Sequence, residues 1–537
     1  MRITPSLLQL CLQISLLLIA VAGLYGSSLQ APLVFDDLDF DVIAQYPYFN
    51  SNLDTRWISN ASLAWTVNTF GLKIVWLRLG NVLIHAANTV ILFFFLRKLF
   101  QVVKSINDSS NISILSSSWL AFFAAIIFAM HPISVYGVAY LIQRSILMAT
   151  FFSLLMLITY LYGLIRGGWL WMVAAALFYF AAVFSKEHSI STPAVAIAMT
   201  LLICKPSLTL LKQITPFYAL CAVIATLITY STSKIGVIAS AYEPNGMGIV
   251  ELSANRQGIT SIPNAFLLSI LTQAFLYFKY LFLWIIPNPA WMSVDMREPL
   301  AVSLLSWTNA LGLVGFIVYF CLAAWLLLKR GITGLLGLAL LCPQLLFLTE
   351  LTTVRAQEPF VLYRSYLWMP YLLACLPFIF SKLGMRHAFA LLGIISVMLI
   401  PLSLNRLDTF SSPLSLWDDA EKLVRDKHQM PGVERIYTNR GHELGLAHRY
   451  QEAINDFTTA ISIYPNYDTF YSDRATAHYL MGHYREALHD YNHALRLNPQ
   501  NPISLRGRAL TYRAIGDEPA AQADFQQSCA LGLCQQD

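Results

Sequence analysis

The chain has 537 residues, 57% of them hydrophobic and only 12% charged, with a formal net charge of +5. Such a composition lies outside the range of soluble globular proteins and marks a polytopic membrane protein. From residue 405 onward there are 13 Lys+Arg and 17 Asp+Glu, a balance of −4 that leaves +9 for the rest, so the tail is mildly acidic and a nucleic-acid partner is not indicated.

A helix needs about 20 apolar residues to cross about 30 Å of hydrocarbon, with every backbone polar group satisfied internally. Apolar stretches lie near 6–26, 74–96, 114–130, 146–165, 168–185, 189–204, 214–231, 265–286, 302–328, 331–349, 366–381 and 388–404, so the body is expected to be a helical bundle. Lys and Arg at the ends of spans mark the cytoplasmic side. Arg2, Arg97, Lys98, Lys104, Arg166, Lys205, Lys212, Lys329, Arg330, Lys382 and Arg386 cannot all lie there if every stretch crosses, because the parity breaks between Lys212 and Lys329. The stretch 265–286, which carries Gln273 and Lys279, is expected to fail to cross, leaving about 11 spans. On that count the N-terminus is inside, and the loop after the first span shares the outer side with the C-terminal tail. The alternative for the first stretch is a signal peptide with Ala20-Val21-Ala22 as its cleavage site, which leaves that loop on the same side.

The first loop carries Asp36, Asp37, Asp39 and Asp41, followed by Arg56, Trp57, an amphipathic stretch 58–70, and His85 and Asn88 within the second span. Clustered carboxylates cannot all be buried and ionised without partners, so at least one is expected to face a cation, a metal or a reacting hydroxyl; a solvated acidic loop is the plainer alternative. A divalent cation at these aspartates is the one cofactor candidate, and none is certain. The second outer loop runs from His131-Pro132 through Tyr140 and Gln143 to Arg144, which either snorkels to head groups or grips a phosphate. Lys186-Glu187-His188, Arg355 and Arg364, ahead of Tyr366, pose the same choice. Cations converging with carboxylates at the outer ends of spans suit a lipid-linked phosphosugar: the cations bind the leaving phosphate and a carboxylate activates an acceptor hydroxyl. A transporter would instead place such groups at helix breaks within the membrane.

Six cysteines, Cys11, Cys204, Cys221, Cys321, Cys342 and Cys375, lie in apolar stretches and read as small core residues, whereas Cys529 and Cys534 could form a local disulfide. The tail repeats with a period of 34 residues: Arg440, Arg474 and Arg508; Ala453, Ala487 and Ala521; Asp456, Asp490 and Asp524; Pro465 and Pro499. This is the signature of a tetratricopeptide array, in which small residues let paired helices approach and proline ends each second helix. The expected organisation is a membrane domain over 1–405, a connecting or capping helix within 406–433, and three repeats over 434–537. Such arrays bind an extended peptide or a partner helix, and Asn439, Arg440, Asp473, Arg474 and Arg508 are the candidate lining residues; the alternative is that they tie neighbouring repeats together.

Several short motifs, in this order, resemble one family. They are the Asp36-Asp37 pair, Arg56 to Asn60, Arg78-x-x-Asn81-x-x-x-His85, His131-Pro132 with Gln143-Arg144, Ser185-Lys186-Glu187, the segment from Pro287 to Asp295, and Tyr363-Arg364-Ser365-Tyr366. Placed ahead of tetratricopeptide repeats, the order is similar to the transmembrane-and-tetratricopeptide-repeat protein O-mannosyltransferases and their bacterial relatives. The resemblance implies an all-α, GT-C type glycosyltransferase, a polyprenyl-phosphate-linked sugar donor, transfer to Ser/Thr hydroxyls of exported proteins, and repeats on the same side as the site. One departure stands out: the family commonly has a glutamate five residues after the His-Pro histidine, where this chain has Tyr136.

The expected mechanism is an inverting single displacement, with Asp36 or Asp37 as general base and Arg144, Lys186 and Arg364 holding the phosphate. Arg56, His85, His131, Glu187, Arg355 and Tyr366 are the supporting candidates, and Asp36 is slightly favoured as base by the family's first-loop acid. The partners expected are the lipid-linked donor, the exported acceptor and the surrounding lipid. The setting is a bacterial inner membrane with a periplasmic site, or the endoplasmic reticulum with a luminal one. Rival readings are a non-enzymatic scaffold for envelope or pilus assembly and a lipid-linked oligosaccharide ligase or polymerase.

Overall fold

In the computed structural model, residues 5–35, 37, 55–106, 114–234, 246–256, 264–304, 307–356, 358–427 and 430–534 are described, and they fold without a strand. The apolar stretches form α1 (Pro5–Tyr25), α2 (Trp57–Phe70), α3 (Ile74–Ile106), α4 (Ile114–Met130), α5 (Pro132–Val138), α6 (Arg144–Arg166), α7 (Trp169–Ser185) and α8 (Thr192–Ile203). They continue through α9 (Leu208–Lys234), α10 (Gly246–Arg256), α11 (Ala265–Ile285), α12 (Trp307–Leu328), α13 (Gly331–Phe347), α14 (Leu376–Ile379) and α15 (Met385–Asp408). Eight segments among the described residues are long and apolar enough to cross a membrane, a ninth if α4 and α5, bent by 62° at His131, count as one. Three more apolar helices are shorter: Trp169–Ser185, Glu187–Ile203 and Met369–Ile379.

The stretch expected to fail to cross forms α11, a continuous helix of 21 residues that is long and apolar enough to span. Its polar residues face a neighbouring loop. Gln273 donates to Pro359 O (2.7 Å), Lys279 lies 4.9 Å over the Phe360 ring, the Tyr280 hydroxyl accepts from the Val361 amide (2.8 Å), and Trp284 donates to Ser365 Oγ (3.0 Å). Helix α11 is thus a rail for the 353–365 loop. The stretch that departs most from a long helix is 366–381, where a 3-10 segment (Met369–Cys375) precedes the four-residue α14.

The chain divides into two compact units, the first drawn from residues 1–250, 259–294 and 300–412 and the second from 251–258, 295–299 and 413–537. Helix α15 thus runs past residue 405, and the first unit ends at Ser412. The second unit contains α16 (Pro413–Lys422) and three helix pairs: α17 (Glu434–Leu446) with α18 (Tyr450–Ile463), α19 (Asp468–Leu480) with α20 (Tyr484–Leu497), and α21 (Pro502–Ala514) with α22 (Glu518–Ala530). The pairs pack where the repeated small residues fall: Ala453, Ala475, Ala487, Ala509 and Ala521 are all fully buried. A Cβ on Gly441 would meet the Phe457 ring at 2.7 Å, so the first pair closes only because that position is bare. Cys529 and Cys534 form a disulfide after α22.

Candidate functional site: a polar turn and a buried ion cluster

The turn that leads into α6, residues 138–145, collects side chains from several other elements. From α3, Arg78 donates to Ala139 O (2.8 Å) and to Ala31 O (2.8 Å) and Pro32 O, so one guanidinium joins the start of the first loop to the turn. Asn81 donates to Val138 O (3.3 Å) and Leu141 O (3.2 Å). Asp37 is fully buried, and its two oxygens accept from the Leu141 amide (3.3 Å) and the Ile142 amide (2.9 Å). Burial pushes this carboxyl up to about 7, against the opposing pull of those amides and of Arg78.

The three side chains that follow divide between two tasks. Gln143 Oε1 and Ser145 Oγ accept from Lys186 Nζ at 3.0 and 3.3 Å, and that ammonium lies 5.1 Å over the Tyr363 ring. Burial, reinforced by the charge on Arg56, holds the Lys186 ammonium well below the usual lysine range. Arg144, between them in sequence, turns into the bundle: Nε donates to Asn81 Oδ1 (2.9 Å), Nη1 to Ser62 O (3.1 Å) and Thr66 Oγ1 (2.8 Å), and Nη2 to Leu77 O (2.8 Å).

Next to Lys186 begins a chain of charges. Arg56, whose backbone is left-handed (φ 63°) at the head of α2, donates from Nε to Glu187 Oε2 at 3.0 Å. His188 Nδ1 lies 3.5 Å from Glu187 Oε1 and its Nε2 3.0 Å from Glu350 Oε1. Glu350 sits in the 3-10 turn Leu348–Thr352 that follows α13. Its second oxygen accepts from Arg364 (3.1 Å) and lies 3.5 Å from Arg355 Nε. Arg364 also approaches Glu358 (3.6 Å). Four cations, Arg56, Lys186, Arg355 and Arg364, therefore gather with three carboxylates, Glu187, Glu350 and Glu358. Among the described residues Lys186 is the cation of this group with no carboxylate at ion-pair distance; its partners are an amide oxygen, a hydroxyl and a ring.

Of the residues singled out from sequence, Arg56, Lys186, Glu187, Arg355 and Arg364 meet in this cluster. Others do not join it. Asp36 lies outside the described residues, as do Asp39 and Asp41. Arg144 does not join it either: its donors serve backbone and side chains of α2 and α3. His85 and Tyr366 form a separate buried pair: the hydroxyl lies 2.6 Å from Nδ1, and Nε2 lies 3.2 Å from Ala129 O, so the ring donates from Nε2 and accepts at Nδ1. His131 caps α5 by accepting from the Ile133 amide (3.2 Å), donates to Trp284 O (3.2 Å) and stacks on the Trp284 ring, a structural role at the bend. Tyr136 accepts from Arg406 (3.4 Å) and packs against Phe410.

Glu350 and Asn81 gained no role from the sequence alone, although a lone carboxylate at the end of an apolar helix was the available signal for the first. Of the first-loop aspartates considered for a divalent cation, Asp37 is the one among the described residues, and each of its oxygens accepts an amide. Among the described residues no group of three or more His, Cys, Asp or Glu side chains is placed to hold a metal ion.

In the tail the candidate peptide-binding arginines make the inter-helix ties that were the alternative reading. Arg440, Arg474 and Arg508 each grip the aspartate sixteen residues on, Asp456, Asp490 and Asp524, through two bonds of 2.7 to 2.9 Å. Their remaining nitrogens reach Glu421 (2.9 Å), Thr458 (3.1 Å) and Asn492 (2.7 Å) respectively. Each arginine thus ties the two helices of a repeat to the preceding helix. Asp473 accepts from His442 (2.8 Å), which links successive repeats, and Asn439 is half-buried on α17.

Residues 434–467 and 469–501 each match the tetratricopeptide repeat family. The third helix pair carries the same arginine–aspartate tie. No curated protein matches the chain. The molecule is therefore defined as an all-helical protein with several helices suited to a membrane, carrying a C-terminal tetratricopeptide module of the kind that serves protein–protein interaction.

Proposed function

We propose that the protein is a membrane glycosyltransferase that moves a sugar from a polyprenyl-phosphate-linked donor to Ser/Thr hydroxyls of exported proteins. The observation that carries this reading is Lys186, a buried amine whose hydrogen-bonding partners among the described residues are neutral, at the edge of a cluster of arginines and carboxylates. With burial opposing its charge and an amide oxygen, a hydroxyl and a ring as its partners, Lys186 holds a proton most readily beside an anion, so the site is suited to one that arrives with the substrate. A phosphate bridging Lys186 and the half-exposed Arg56 would supply that charge, and the ordered motifs of the sequence agree with it.

The reaction is a single displacement. The acceptor oxygen attacks the anomeric carbon as the bond from that carbon to the phosphate oxygen breaks; the hydroxyl proton passes to a carboxylate and the phosphate leaves against Lys186. With Asp37 committed to two amides, Asp36 is the proposed base. Arg355 and Arg364, paired with Glu350, wall the site, and the repeats dock the protein acceptor.

Intact-mass spectrometry of exported proteins tests this in cells carrying the wild type, Lys186→Met or Asp36→Asn at matched membrane abundance. Loss of a sugar-sized increment in both variants is expected. Unchanged masses in both, with the acceptor pool well covered, would reject the enzyme and leave the scaffold reading.

A further inference from the structure

Arg144 stands in sequence between the two hydrogen-bond acceptors of Lys186. We propose that Arg144 is a positioning residue for Lys186, which it sets through its two sequence neighbours. The inference rests on the donor-site reading for its consequence and on geometry alone for its premise.

The premise has three parts. First, Gln143 and Ser145 are the two hydrogen-bonding acceptors of Lys186 Nζ, and Arg144 is the residue between them. Second, Arg144 is itself 2% exposed and fixed by four hydrogen bonds to two helices, Ser62 and Thr66 on α2 and Leu77 and Asn81 on α3. Third, the approach of Arg144 to α3 depends on a missing side chain, since a Cβ on Gly80 would lie 2.6 Å from Nη2. The planar fork matters more than the charge, because an ammonium cannot reach Asn81, Thr66 and two carbonyls from one position. Gln143 and Ser145 point one way because Arg144 is pinned the other. The acceptors of Lys186 are thus set from α2 and α3, which themselves make no hydrogen bond to its ammonium among the described residues.

Two readouts on the full-length protein test this. Competitive trace labelling of Lys186 by an acylating reagent, read by peptide mass spectrometry, follows the lysine without any substrate. Arg144→Lys is expected to raise Lys186 labelling severalfold, and Gly80→Ala to raise it less, while labelling at Lys279 stays the same. Binding of polyprenyl monophosphate in nanodiscs supplies the second readout. Arg144→Lys should weaken it about tenfold with Lys186 present and less than about twofold in a Lys186→Met background, a coupling of the size seen between contacting residues. Equal losses in both backgrounds, or Lys186 labelling unchanged in both variants that retain the wild-type melting temperature, would overturn the proposal. If labelling changes but Lys186→Met binds the lipid phosphate as the wild type does, the positioning role stands and the donor-site reading falls. Gly80→Ala keeps the test open if Arg144→Lys does not fold.

Discussion

Asp37 shows how one side chain can be read in two ways. A carboxylate in an acidic loop suggests chemistry, yet here both oxygens accept amides at the turn before α6 while burial raises the group to about 7. Its ordinary value is 3.8, so the folded chain holds this proton more tightly than the unfolded chain does. The stability contributed by the proton is full below about 3.8 and is lost as pH rises through about 7. Infrared difference spectroscopy of the reconstituted protein should show a carboxylic-acid carbonyl band that titrates near pH 7 and is missing from Asp37→Asn. A band unaltered by that substitution would place the titrating acid elsewhere. Sequence could name Asp37 as a buried-acid candidate but not its partners, because Leu141 and Ile142 lie more than a hundred positions away and contribute only backbone, which carries no residue-type signal.

At the scale of elements, the tail is held by a tie that recurs with the repeat. Asp490 has 3% of its side chain exposed and receives two bonds from Arg474, so truncating it strands a mostly buried guanidinium. Asp490→Ala is expected to cost about 3 kcal/mol and to speed hydrogen exchange in α19 and α20 of the full chain. The paired change Arg474→Met with Asp490→Leu should recover most of that protection. Exchange left unaltered by Asp490→Ala would return the arginine to the ligand-binding surface. The period made these residues conspicuous but not their partners: an arginine recurring with an aspartate fits both an interhelical tie and a ligand groove, and the choice turns on which way the helices face. In helix α11 the polar residues Gln273 and Lys279 meet a loop that the sequence does not place beside them, through Pro359 O and the Phe360 ring.

For the whole molecule, the proposed reaction requires the first loop and the tail to lie on the same side of the membrane. With Asn498→Cys in the tail and Ser207→Cys beside Lys205, each in a background lacking the native cysteines, an impermeant maleimide applied to intact cells should label the first and spare the second. The opposite pattern would place the tail inside and remove exported proteins as acceptors.

What the sequence determined by itself is what depends on composition and period. Apolar runs, basic ends and a 34-residue repeat are local or translational patterns, each enforced by a solvent or by a neighbour of the same kind, and they yielded a helical membrane body with a tetratricopeptide tail. The tertiary structure decided which partner each charge meets. Arg144, Lys186 and Arg364 look alike along the chain, but one is pinned to two helices, one is held by neutral groups, and one is neutralised by Glu350. A buried charge is defined by the partner that compensates it, and here most of those partners arrive from distant helices, so only the folded arrangement shows that Lys186, among the described residues, has no carboxylate at ion-pair distance.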